Sequence, residues 1–181
     1  MINRNDFTEL SAIFERRLQV KELPNHYPHA FLCAKPAESC YIFELLKTEN
    51  FYFLQRQSPD PKTGNIIINS PTANFDFVIL IERPLQVFCV PLPIHDDRDD
   101  PRRPKPSPEI LEVPRTGGHT SISGLSSVLY AGGLRLENGR LIYWTNHSGH
   151  YRPSYQIHKT NISPVVNLLL PKKKFFPITR G

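Results

Sequence analysis

The sequence predicts an α+β fold, a mainly antiparallel sheet with an N-terminal helix and a short C-terminal helix packed on it. Three observations predict it. Phe7, Leu10, Phe14 and Leu18 recur at helical spacing within Asp6–Val20. Asn138-Gly139 lies between two apolar runs, Leu134–Leu136 and Leu141–Thr145, as a two-residue hairpin turn requires. Eighteen prolines and nine glycines cut the rest into short apolar runs, which favours short strands and loops over long helices. With 181 residues and 39% apolar content, the chain suits a single domain, 1–181, with one core.

The elements follow in chain order. Asp6 is placed to cap the first helix, Glu9 stands three residues on as in a capping box, and Pro24 ends it. His26, His29 and Cys33 follow in a proline-bounded loop. Three ligands of this kind resemble a zinc set in type, but nothing completes it, so no metal site is expected. Tyr41–Leu46 and Phe51–Gln57 flank Lys47-Thr48-Glu49-Asn50 and read as a hairpin, with a helix over Ala37–Leu46 as the competitor. Ile66–Ile68 is a short strand. Phe75–Ile81 is almost wholly apolar and reads as a central strand. Pro84 interrupts the run before Leu85–Val90, which points to an edge or a turn.

Residues 93–114 carry an acidic run, Asp96-Asp97-Arg98-Asp99-Asp100, then Arg102, Arg103 and Lys105 among prolines. This composition predicts a mobile, solvated loop. The acidic run lacks the glycine and distal glutamate of a calcium loop. Near the C-terminus, Ser163-Pro164 opens a short helix that Pro171 closes, and Lys172–Phe176 forms a basic, aromatic tail or final strand.

Charge and cysteine usage set outer limits. A net charge of +5 and a pI near 9.2 permit an anionic partner without requiring one. Cys33, Cys40 and Cys89 are odd in number and show no Cys-x-x-Cys spacing, so buried free thiols are expected in place of a disulfide framework. No charged-then-apolar leader and no run of eighteen apolar residues occurs, so neither Sec export nor a membrane span is expected. That fits a cytoplasmic protein, or one delivered into a target cell by a specialised secretion system.

The hairpin around Asn138-Gly139 organises the candidate chemistry. Its register sets Leu136 opposite Leu141, Leu134 opposite Tyr143, and Glu137 opposite Arg140 as a charge pair. Two polar, histidine-bearing segments flank it: Gly117-Gly118-His119-Thr120-Ser121 before, and Asn146-His147-Ser148-Gly149-His150-Tyr151-Arg152-Pro153-Ser154 after. A hairpin returns the chain to its starting side, so His119 is expected near Ser148–Arg152.

His119-Thr120-Ser121, Ala131-Gly132-Gly133, Asn138-Gly139 and Ser148–Pro153 together resemble the C-terminal module of plant IQ-motif-containing calmodulin-binding proteins. A similar segment closes some bacterial secreted toxin and effector domains. Tyr41–Gln57 and Phe75–Pro91 look like that module's preceding strands. The resemblance implies an effector- or toxin-type domain, engaged in virulence or host interaction. No IQ pattern is present, so calmodulin is not implied as a partner.

The chemistry proposed from these residues uses His119 and His150 as general base and acid and Arg152 as the anion-binding fork. Ser121, Ser148, Gly149 and Tyr151 are expected to contact substrate. This set suits a phosphate-bearing substrate: a nucleotide such as NAD, as substrate and not as cofactor, or RNA. The reactions implied are ADP-ribosyl transfer or metal-independent RNA cleavage. Some relatives continue the alanine-glycine strand with a glutamate where this chain has Gly133, and that departure weighs against the transferase. A non-catalytic binding module and a host-protein-binding effector are the alternatives. The binding module would use the same pocket without turnover. On a purely structural reading of Gly149–Pro153, Tyr151 packs in the core, His150 hydrogen-bonds a backbone carbonyl and Arg152 ties down its own loop, as buried polar groups most often do.

Overall fold

The computed structural model describes residues 4–19, 36–92, 104–114 and 117–179. His26, His29, Cys33, the acidic run 96–100, Arg102 and Arg103 lie outside the described residues. Among the described residues eight strands form one sheet: β1 (Phe43–Lys47), β2 (Tyr52–Arg56), β3 (Ile67–Asn69), β4 (Ala73–Leu80), β5 (Phe88–Pro91), β6 (Val128–Glu137), β7 (Arg140–Thr145) and β8 (Phe175–Phe176). Their spatial order is β3-β2-β1-β5-β4-β6-β7-β8. Every neighbouring pair is antiparallel except β7 and β8, which run parallel. Five α-helices among the described residues accompany the sheet: α1 (Arg4–Gln19), α2 (Pro108–Leu111), α3 (His119–Ser123), α4 (His158–Asn161) and α5 (Pro164–Leu169). The α+β class, the N-terminal helix and the short C-terminal helix are as the sequence predicts.

The sheet buries both faces, in different ways. On one face Phe75, Phe77, Tyr130, Leu134 and Trp144 join Phe14 of α1, Ile110 of α2 and Val166 of α5 in the main core. On the other, Val78, Phe88, Val90 and Ala131 pack with Tyr151 and with Ile122 of α3. A strand buried on both faces needs an almost continuous apolar run, which is why β4 lacks clean alternation. In α1, Phe14 is buried and Phe7 and Leu18 are half-buried, whereas Leu10 is 46% exposed. At 3.6 residues per turn Leu10 lies about 60° round the axis from Phe7, at the flank of the apolar stripe. The helix begins at Arg4, so Asp6 sits in its first turn and is not its cap.

Three further expectations are corrected. The run after Pro84 makes a turn and then β5, which is interior, between β1 and β4, and not an edge strand. The β6–β7 hairpin carries a bulge: Leu136 faces Leu141, but Arg135 faces Tyr143 and Leu134 faces Trp144. The extra residue, Ile142, turns Trp144 into the core and Tyr143 to the opposite face. Glu137 does face Arg140, yet its carboxylate accepts from Arg135 Nε at 2.6 Å, while the Arg140 guanidinium lies 5.8 Å from the centre of the Phe51 ring. The turn itself has Asn138 and Gly139 at φ 48° and 70°, as a type I′ turn requires. It docks on the sheet's far half: Gly139 N–H donates to Pro71 O at 3.0 Å, and Tyr52 N–H donates to Gly139 O at 2.7 Å.

Gly132 is fixed by packing. A Cβ there would stand 1.9 Å from the Thr145 carbonyl oxygen and 2.9 Å from the Phe77 ring. Gly149 has open space around the same position. Gly132→Ala is therefore expected to cost about 1–3 kcal/mol or to prevent folding, while Gly149→Ala stays within about 0.5 kcal/mol of the parent. Urea denaturation of the two variants checks this.

Candidate functional site

The hairpin does bring the two polar flanks together. His119 opens α3 and His150 lies in the segment after β7, and their ring centroids are 6.4 Å apart at an interplanar angle of 61°. Much of the flanking sequence is devoted to holding this arrangement. Ser148 is fully buried, and its hydroxyl accepts from Tyr151 N–H at 3.1 Å. The buried Tyr151 hydroxyl donates to Ser126 O at 2.6 Å and meets the Ser123 hydroxyl at 2.5 Å, which ties the segment to the end of α3. Ser121 Oγ donates to Gly118 O at 2.6 Å, within its own turn. Arg152 is exposed, has φ 45°, and donates from Nε to Gly149 O at 3.1 Å. Its guanidinium is thus engaged with the same loop, and Gly149 itself is exposed.

His119 is 3% exposed, and Nε2–H donates to Gly132 O at 2.8 Å. Burial lowers its pKa to about 4, with the Gly132 carbonyl partly opposing the fall. The ring is therefore neutral at neutral pH, with its Nε2 proton committed to the backbone. Asp76 Oδ1 lies 3.5 Å from the same nitrogen. Burial raises the Asp76 carboxyl from 3.8 to about 7. With His119 held neutral and the carboxyl only half ionised near pH 7, this contact is not an ion pair. The 2.8 Å bond to Gly132 is the one that positions the imidazole.

Asp76 is the residue that sequence reasoning misses. It stands in β4 directly opposite Gly133 of β6. Its carboxyl reaches a cavity of about 520 Å³ on the sheet face opposite the main core. Gly133 and Thr145 belong to the same wall, His147 and Asn74 stand beside them, and Tyr143, Phe176, Leu92 and Ile178 supply the apolar sides. Neither His119 nor His150 is among the residues lining the cavity; Asp76 is the link between them and it. Gly118 shows how tightly the corner is packed. It has φ 72°, and a Cβ there would be 2.9 Å from Asp76 Oδ2 and 3.9 Å from His150 Cε1. The sequence does carry a signal for Asp76, a lone carboxylate within Phe75-Asp76-Phe77-Val78-Ile79-Leu80. An acid in the middle of a buried strand costs stability unless a function keeps it there.

The C-terminal wall of the cavity is pinned by one side chain. Asn146 accepts from Ile178 N–H at 2.7 Å and donates to Ile178 O at 3.0 Å and Pro153 O at 3.0 Å. Among the described residues no lysine or arginine lines the cavity, and no group of three or more His, Cys, Asp or Glu could hold a metal ion. No described helix is long and apolar enough to cross a membrane. Comparison with family models, curated proteins and solved structures finds no match to this chain.

The sign of the pH dependence follows from the two shifts. Asp76 binds its proton more tightly folded than unfolded, so its contribution to stability falls as pH rises from about 4 to about 7. His119 acts oppositely, and its contribution is lost as pH falls from 6.5 towards 4. Comparing Asp76→Asn with the parent isolates the first effect. The variant is expected to be more stable at pH 8, by up to about 4 kcal/mol, with the gain fading towards pH 4. Denaturation midpoints at pH 4, 6 and 8 measure it.

Proposed function

We propose that this chain is an enzyme acting on a nucleotide, with Asp76 as its proton-transferring group and an NAD-type substrate favoured over RNA. The observation that carries the proposal is the Asp76 carboxyl, pushed up to about 7 by burial and open to a ligand-sized cavity. A carboxyl poised near neutral pH in a pocket is what general acid–base chemistry needs, and leaving it unmatched costs the fold stability. RNA cleavage is supported less well. It asks for two proton carriers and a cation at the phosphate. The Nε2 proton of His119 is committed to Gly132, and the described lining includes no lysine or arginine.

Cleavage of a ribosyl–nitrogen bond fits this lining better. Water attacks the anomeric carbon, the carbon–nitrogen bond breaks with its electron pair passing to the ring nitrogen, and ionised Asp76 takes the proton from the water. The same site would serve transfer if another nucleophile replaced water. A carboxylate missing from β6 at Gly133 is supplied, in register, from the neighbouring strand at Asp76. His150, outside the cavity lining, would act only through the His119 ring it stands against, and Arg152 would bind substrate only by leaving Gly149 O. The effector- or toxin-type setting rests on the resemblance carried by Ser148–Pro153 and is proposed on that ground alone.

Incubation with NAD, and separately with total RNA, tests the proposal. Nicotinamide release is expected from the parent, rising with pH through about 7, and falling at least about 100-fold in Asp76→Asn. RNA should stay intact. RNA cleavage that survives Asp76→Asn would overturn the proposal. A ligand-dependent rise in melting temperature without turnover would assign a binding module instead.

A further inference from the structure

We infer that the cavity beside Asp76 receives a planar aromatic ring that carries positive charge, with the phosphate-bearing part of the ligand left outside. This rests on the cavity being the substrate site, and it adds which end of the substrate enters. Three observations carry it. Tyr143 and Phe176 both line the cavity and meet edge to face, with centroids 6.2 Å apart at 73°. Phe176 is 62% exposed, so a large aromatic face is turned to solvent at a cavity wall, with Ile178 and Leu92 adding apolar sides. Asp76 is the acidic group of the described lining, and no described lysine or arginine offsets it.

Each feature selects against a phosphate and for a flat cation. Aromatic faces carry negative potential and attract cations lying over them. A buried carboxylate repels an anion and is stabilised by a nearby positive charge. Gly133 lies opposite Asp76 and presents no side chain to this face; the Thr145 hydroxyl, 3.4 Å from Gly133 N, is the polar group beside it on the cavity wall. The charged and titratable neighbours of Asp76 are His119 on α3, His150 and His147 after β7, Tyr143 on β7, and the paired Arg135 and Glu137 on β6.

Binding of three probes to the full chain at pH 8 tests the inference: nicotinamide methylated on its ring nitrogen, a pyridinium cation; nicotinamide itself, its neutral counterpart; and inorganic pyrophosphate. The cation is expected to bind about tenfold or more tightly than nicotinamide, and Phe176→Ala to weaken it about three- to tenfold. Phe176 is too exposed for its loss to threaten folding. Asp76→Asn should shrink the preference for the cation to the part that the aromatic faces supply, about threefold, and pyrophosphate should not compete. Equal binding of the two rings by the parent, displacement of the cation by pyrophosphate, or an unchanged affinity in Phe176→Ala would overturn it. NAD turnover without any preference for the cation sinks this inference and leaves the enzyme. Preference for the cation without turnover supports this inference and sinks the enzyme.

Discussion

Asp76 stands between Phe75 and Phe77 in the middle of an eight-stranded sheet, where burial holds its carboxyl far above the ordinary carboxylate range. Much of the surrounding architecture can be derived from the need to tolerate that group. Its strand is packed on both faces, so the acid has little water of its own. Opposite it, Gly133 withholds a side chain at the wall of a cavity. Beside it, Gly118 adopts a backbone conformation closed to other residues and comes close to Oδ2. The His119 imidazole is at the same time turned to the Gly132 carbonyl and kept neutral. A structure built only for stability would place an apolar residue at position 76.

The conspicuous polar sequence on either side of the hairpin then has a positioning role. Ser148, Tyr151, Ser121 and Asn146 spend their hydrogen bonds on backbone groups and on one another. They fasten α3, the segment after β7 and the C-terminal wall around the acid. Trp144 serves the same end from the opposite face, where its indole N–H donates to Pro171 O at 3.0 Å and its ring lies 4.3 Å from that of Phe175, so that β8 is held against β7. The rigid part of the site is thus made by the sheet and the buried loop. The exposed part of the cavity wall is Phe176 and His147.

The fold was largely legible because its signals are local. Asn138-Gly139 forces the primed turn, helical spacing in Phe7, Phe14 and Leu18 marks α1, and Ser163-Pro164 caps α5 through a bond from Val166 N–H to Ser163 Oγ. The bulge at Ile142 was not legible, because nothing in the hairpin sequence distinguishes a regular register from one shifted by a residue. The proximity of His119 and His150 followed from the hairpin. The burial of His119 did not, because it depends on how α3 lies across β4 and β5. Asp76 is hidden in the sequence for a related reason. Apolar content identified its strand, and the single exception to that content was the informative residue.

The site depends on Asp76 keeping its proton up to neutral pH. Carbon-13 NMR of the side-chain carboxyl, titrated from pH 3 to pH 9 with Asp76→Asn to assign the resonance, measures this directly. A midpoint near 7 is what the structure requires. A midpoint near 4, the value of an exposed aspartate, would remove the group on which the site depends.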